Sequence, residues 1–186
     1  MARNRKDNWK FDGNFVAIGS IEIQPILEIV EGFPGSLWGE EILRSYLSEH
    51  LDAIPLVRPK STSPLWKELR FDQALEPLLD LLERHYGCGF ADTISLVRLC
   101  GDTALPLHRD GPESLPPYPT EPSHFYRRSH IPIITNPAVW FLIDGEEKHL
   151  GPGEVWEINH WREHTVRNDG KIDRVHLVID WLPRSS

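Results

Sequence analysis

Thiols are scarce here: Cys88 and Cys100 are the only two cysteines among 186 residues, and they do not form a CxxC pair. They read as buried thiols in a reducing compartment, with a single disulfide between them as the alternative. Positive charge is in deficit. Twenty lysines and arginines face 28 aspartates and glutamates, a net charge of -8, which is a poor starting point for binding nucleic acid. The basic opening, MARNRKD, is too short and too mixed to reverse that balance and reads as a flexible tail. No apolar run follows it, so no secretory signal is expected, and no stretch of about 18 uninterrupted apolar residues is present to span a membrane. Internal repeats and low-complexity linkers are missing too. What is left is an ordinary globular composition, 40% apolar and 26% charged, and the expectation of one cytoplasmic domain over residues 1–186.

The chain changes character near Asp92. Residues 1–91 form a helix-rich portion with a few strands, expected to pack on the rest. Ile21 to Val30 and Leu37 to Leu51 carry apolar residues at helical spacing with FPGS between them. Ser36 suits the N-cap of the second segment and Glu40 its first turn. Gln73 to Tyr86, QALEPLLDLLERHY, is the clearest helix; Gly87 ends it, and its leucine face is predicted to pack on a sheet. Over 92–182 come TISLVRLC, SHIPIIT, AVWFLID, GEVWEIN, HTVRN and DRVHLVIDW, divided by turn signals such as NP, DG, GPG and NDG. With PLHRD and EEKHL they make about eight closely spaced strands. The predicted fold is mainly β with flanking helices: a double-stranded β-helix (jelly-roll, cupin-like) core covered by the earlier helices. DGEEK and LGPGE read as hairpin connections. Residues 111–126, GPESLPPYPTEPSHFY, form a proline-rich insertion that reads as a lid or binding loop, or as a plain surface excursion.

Within LPLHRDGP, His108 and Asp110 stand two positions apart, so an extended backbone puts both on one face. An imidazole and a carboxylate aimed into one space imply a buried ion pair or two metal ligands. His164, in WREHTVRND, offers a third donor near the other end of the strand-rich region. Two histidines and one carboxylate make the facial triad of non-haem iron enzymes and leave positions open for other ligands. Arg174 follows ten residues later; if VRNDGKIDR is a hairpin, it returns beside the His164 strand. A buried arginine needs an anionic partner, and a planar guanidinium suits a carboxylate gripped at two points. Arg128 and His130 repeat the i, i+2 arrangement and add donors for an anion, whereas Arg127 and Arg109 should face away. His176 alternates with Arg174 and can share its face. His149, His160 and His124 have no partner at ligand spacing and read as structural or exposed, and the tryptophans as sheet packing.

HRDGP, RRSHIPIITN, GPGEVWEINH, EHTVRN and RVHLVIDW resemble the aspartyl/asparaginyl β-hydroxylase-like family of iron(II)- and 2-oxoglutarate-dependent dioxygenases, which includes bacterial cis-type proline hydroxylases. The resemblance covers roughly residues 92–182. It implies that His108, Asp110 and His164 hold Fe(II), that Arg174 pairs with the distal carboxylate of 2-oxoglutarate, and that Arg128 and His130 contact this cosubstrate from the opposite side. Dioxygen would be the second cosubstrate. The animal members have glycine where this chain has Asp110, so the site looks more like that of the bacterial amino-acid hydroxylases, and an aspartate there favours hydroxylation over halogenation. The bacterial proline hydroxylases carry a further C-terminal region, whereas this sequence stops at LPRSS. That difference argues against free proline as substrate and leaves the pocket to be completed by the 111–126 loop, the N-terminal half or a second copy in a homodimer. The loaded site would carry a formal charge of about +1, which accommodates a substrate carboxylate. The expected partner is thus a small molecule, amino acid or peptide, with no nucleic acid and no membrane; Arg109, Arg127, Tyr118 and Tyr126 are candidate substrate readers. A jelly-roll module that binds metal or ligand without turnover, or a cupin-type isomerase or hydrolase, is the alternative.

Overall fold

A computed structural model describes residues 13–40, 51–58, 61–110 and 126–184. The basic opening, residues 41–50 of the second expected helix, and the 111–125 insertion with Tyr118 and His124 lie outside the described residues. In chain order the elements are β1 (Phe15–Ser20), α1 (Gln24–Glu31), α2 (Leu37–Glu40), β2 (Leu51–Arg58), β3 (Ser61–Thr62), α3 (Leu65–Glu68), α4 (Phe71–Ala74) and α5 (Glu76–Tyr86). Then come β4 (Gly89–Leu99), β5 (Thr103–Ala104), β6 (Arg127–Ile134), β7 (Val139–Ile143), β8 (Glu146–Lys148), β9 (Glu154–Ile158), β10 (His164–Asn168) and β11 (Arg174–Pro183). No helix among the described residues is long and apolar enough to cross a membrane.

Two antiparallel sheets form the core: a seven-stranded sheet in the order β1-β9-β6-β11-β4-β2-β3 and a four-stranded sheet in the order β5-β10-β7-β8. This is the expected jelly-roll arrangement, but its extent differs from the expected 92–182 core: β1, β2 and β3, from residues 1–91, pair into the large sheet. Alternation along the strands divides the apolar residues between two cores. On the outer face of the large sheet, Ile131, Ile133, Val175, Leu177, Ile179 and Trp181 pack with Ile26 and Val30 of α1, Phe71 of α4, Leu78 and Leu82 of α5, and Leu75 between the last two helices. Between the sheets, Leu51, Leu99 and Ile158 of the large sheet meet Val139, Phe141, Ile143 and Val166 of the small one. The opposite face of β11 presents Arg174, His176, Val178 and Asp180 to that second interior.

The predicted helices begin and end where backbone chemistry dictates. Pro25 lies in the first turn of α1, where its missing N–H is no loss, so Ile21 to Ile23 stay outside the helix. The Gln73–Tyr86 helix is divided at Leu75 into α4 and α5 and stops at Gly87, whose φ is 84°. Leu51 opens β2 rather than closing a helix, because its run pairs with β4. Asp144 and Gly145, with φ 48° and 84°, make the mirror-image turn that joins β7 to β8, so DGEEK is a hairpin.

Two other connections differ from expectation. LGPGE carries the chain from β8 in the small sheet to β9 in the large one, and VRNDGKIDR likewise links β10 to β11 across the sheets. Neither is a hairpin, since β10 pairs with β5 and β7 while β11 pairs with β4 and β6. Arg174 therefore lies in the sheet opposite β10, its guanidinium over Phe141 of β7, instead of beside the His164 strand. PLHRD contributes a single bridge, His108 to His164, rather than a strand. Cys88 and Cys100 are free thiols, but not the buried ones expected: Cys88 is exposed and Cys100 half-buried.

Candidate metal centre

The bridge between His108 and His164 builds the centre. Each backbone N–H donates to the other's carbonyl, at 3.0 and 2.8 Å, and directly opposed residues of an antiparallel pair send their side chains to one face. The two imidazoles consequently lie 4.3 Å apart between centroids. Asp110, two residues beyond His108, is pinned by its own N–H, which donates to the His160 carbonyl at 2.9 Å. One donor atom from each of His108, Asp110 and His164 lies within 4.8 Å of the others.

Hydrogen bonding decides which nitrogen faces the centre. Nδ1 of His108 bonds the Pro106 carbonyl at 2.8 Å, and Nδ1 of His164 bonds the Arg162 carbonyl at 2.9 Å. Both Nε2 atoms are left to point at Asp110, 3.7 Å from Oδ1 and 3.6 Å from Oδ2 respectively. Those separations exceed hydrogen-bond length, so the three donors surround a space without closing it. Protonation suits metal binding. Burial would push the Asp110 carboxyl up, but the Arg128 guanidinium overrides it and holds the group far below the usual carboxylate range. Burial, then the neighbouring His164, pushes the His108 imidazole down, so it is neutral at pH 7. An ionised carboxylate and a neutral imidazole are the forms that ligate a divalent metal. The donor set fits a facial triad.

β6 supplies the next layer. Arg128 points inward and donates to Asp110, while Nε and Nη2 grip Asp180 at 2.7 and 2.9 Å. Tyr126 lies against that guanidinium, 5.1 Å from its carbon, and stacks on His160 at 4.7 Å. Arg127 faces the other way, as alternation predicts, onto Glu157 and the ring of Tyr86. Arg109 also points away from the centre, toward Glu163 at 3.5 Å.

Deeper between the sheets sits a second group of polar side chains. Arg174 is 2% exposed, yet its Nε and Nη1 have no hydrogen-bond partner among the described residues. Desolvation alone lowers its pKa to about 9. Both ring nitrogens of the fully buried His176 and Nδ1 of His130 are also unpartnered among the described residues. Phe141 ties the group together: it is 5.8 Å from the Arg174 guanidinium, 5.2 Å from the His130 ring and 5.7 Å from the His176 ring. His130 pairs across from Val178, which stands between Arg174 and Asp180 along β11, and so is the member of this group set toward Asp180. Buried donors without acceptors are costly, and a cation most of all. The arrangement fits a buried anion at Arg174. A cleft of about 840 Å³ beside α1, α4 and α5 contains none of these residues.

The structure brings together His108, Asp110 and His164, and sets Arg128 beside Asp110. It places Arg174 and His130 in the adjoining polar group. Asp180 went unnoticed in the sequence, although its alternation with Arg174 and His176 along RVHLVID was the available signal. His160 had no such signal, because it lies in a connection with no periodicity.

The sequence profile described as Aspartyl/Asparaginyl beta-hydroxylase matches residues 72–183. L-proline cis-4-hydroxylase of Rhizobium meliloti (strain 1021) is 23% identical over 176 residues, covering 92% of this chain and 58% of that protein. The chain thus spans less than two thirds of that relative's length. Among solved structures, a 2OG-Fe(II) oxygenase family oxidoreductase from Burkholderia pseudomallei superposes with a TM-score of 0.56 at 16% identity, covering 86% of this chain and 77% of the other. HygX from Streptomyces hygroscopicus, solved with nickel, 2-oxoglutarate and hygromycin B, gives 0.55 at 14% identity over 91% and 83% of the two chains.

Proposed function

The chain belongs to the aspartyl/asparaginyl β-hydroxylase family, and from that premise we propose that it is an iron(II)- and 2-oxoglutarate-dependent dioxygenase hydroxylating an unactivated C–H bond of an amino acid, a peptide side chain or a related small molecule. One observation carries this reading. The buried guanidinium of Arg174, whose Nε and Nη1 have no hydrogen-bond partner among the described residues, stands in the same sheet interior as the His108–Asp110–His164 triad. A metal centre alone has no use for such a cation; a metal centre with an anionic cosubstrate does.

In this reading His108 and His164 offer Nε2, and Asp110 a carboxylate oxygen, to Fe(II). The iron, 2-oxoglutarate and dioxygen supply the oxidising power, with succinate and carbon dioxide as coproducts. Arg174 takes the distal carboxylate of the keto acid. His130, His176 and Phe141 line the space between and keep water from it. Arg128 already has two carboxylate partners, so its first task is to hold Asp110 in place, and contact with the cosubstrate would come from whatever donor capacity remains. Counting Asp180 with the other charges brings the loaded site to about zero, not +1. The charge balance therefore gives no preference for a substrate carboxylate. The free thiols of Cys88 and Cys100 suit a reducing compartment such as the cytoplasm.

The test is a screen of free amino acids and short peptides for oxygen-dependent succinate release, with mass measurement of any product. A gain of one oxygen, abolished by His108→Ala or His164→Ala, is the expected result. A metal- or ligand-binding module would release no succinate with any substrate, and a cupin-type isomerase or hydrolase would turn over without oxygen.

A further inference from the structure

The geometry points to Asp180 as a positioning residue that tunes the metal affinity of the triad through Arg128. This rests on the triad being a metal centre. Asp180 takes the guanidinium side-on, Oδ1 from Nε at 2.7 Å and Oδ2 from Nη2 at 2.9 Å, while Nη1 reaches Asp110. Thr93 fixes Asp180 in turn, its hydroxyl donating to Oδ2 at 2.8 Å. The strands dictate the order. Asp180 sits opposite Thr93 on β4 and opposite Arg128 on β6, so three neighbouring strands hold the chain Thr93–Asp180–Arg128–Asp110 in one row.

Two consequences follow for Asp110. An arginine with a single carboxylate partner closes on it with two parallel N–H bonds. Here the bidentate grip is on Asp180, and Asp110 gives only Oδ2 to Arg128, through Nη1. Its Oδ1, 3.7 Å from Nε2 of His108, lies outside that grip. Two carboxylates also share one guanidinium, so neither is fully neutralised, and Asp110 keeps electron density for a cation. Neutralising Asp180 would turn Arg128 wholly onto Asp110, and a metal would then compete with a bidentate ion pair.

Mn(II) titration of the protein, followed by the electron paramagnetic resonance of free Mn(II), tests this without turnover. Asp180→Asn is expected to weaken Mn(II) binding about tenfold, as losses of outer hydrogen-bond partners of metal ligands do. In an Arg128→Gln background the same change should alter affinity by less than about twofold, because the route to the metal is then already cut. Equal affinity of folded Asp180→Asn and wild type overturns the inference, and so does an undiminished effect in the Arg128→Gln background. Should Asp180→Asn not fold, Thr93→Val removes one hydrogen bond and no charge; an expected loss of about threefold supports the assignment, and no loss overturns it. If wild type itself binds no Mn(II), the metal-centre reading fails instead.

Discussion

Arg174 shows how the stability of the fold and the role proposed for a residue can stand in opposition. Its burial lowers the guanidinium pKa to about 9, with desolvation as the cause. A base with a depressed folded pKa binds fewer protons folded than unfolded at alkaline pH. Stability therefore falls as pH drops from the unfolded value near 12.5 toward 9, and the penalty is complete below that. At neutral pH the ligand-free fold carries all of it, roughly 5 kcal/mol. Arg174→Met fills similar volume without the charge and should raise the melting temperature of the ligand-free protein by at least about 3 °C. In the presence of Zn(II), 2-oxoglutarate should raise the melting temperature of wild type and leave that of the variant unchanged. A variant that melts lower, or still responds to the keto acid, would remove Arg174 from its assigned role.

At the scale of the element, β11 carries two unrelated tasks on its two faces. Val175, Leu177, Ile179 and Trp181 pack beneath the helices, whereas Arg174, His176 and Asp180 serve the polar interior. The period of two keeps these tasks separable. Leu177 is fully buried, and Leu177→Ala should cost about 2–5 kcal/mol in chemical denaturation. Its Mn(II) affinity, measured on the folded protein, should remain within about twofold of wild type because the cavity opens toward α5 rather than the triad. A large loss of metal affinity would show that the two faces are coupled. Register makes this face assignment strict: a slip by one residue would turn Arg174 into the leucine-rich core and Leu177 toward the triad.

For the whole molecule, the consequence of burying so many imidazoles is sensitivity to acid. Burial pushes His130 and His176 well below the usual histidine range and His160 to about 3. These groups stay neutral in the folded protein while the unfolded chain protonates them near 6.5. The unfolded state then binds more protons, so stability is lost as pH falls below 6.5, at about 1.4 kcal/mol per pH unit for each imidazole. Asp110 adds loss in the same direction only at lower pH, below the ordinary carboxylate value. Denaturant midpoints measured between pH 7.5 and 5 should decline steeply over that window. A flat profile would mean that these imidazoles protonate within the fold.

Much of this was legible in the chain, and for a local reason. Helical spacing in QALEPLLDLLERHY, alternation in the strand runs, and the i, i+2 placement of His108 with Asp110 and of Arg128 with His130 all depend on neighbours in sequence. The same alternation separated Arg128 from Arg127. Pairing was another matter. Whether VRNDGKIDR returns in its own sheet or crosses to the other depends on which strands already occupy the neighbouring edges, and β4 and β6 flank β11 on both sides. The meeting of His108 with His164, the sharing of Arg128 between Asp110 and Asp180, and the approach of Phe141 to Arg174 are contacts across long sequence separations. They exist only once the two sheets have closed, because burial and hydrogen-bond partnership belong to the packed interior and not to any segment taken alone.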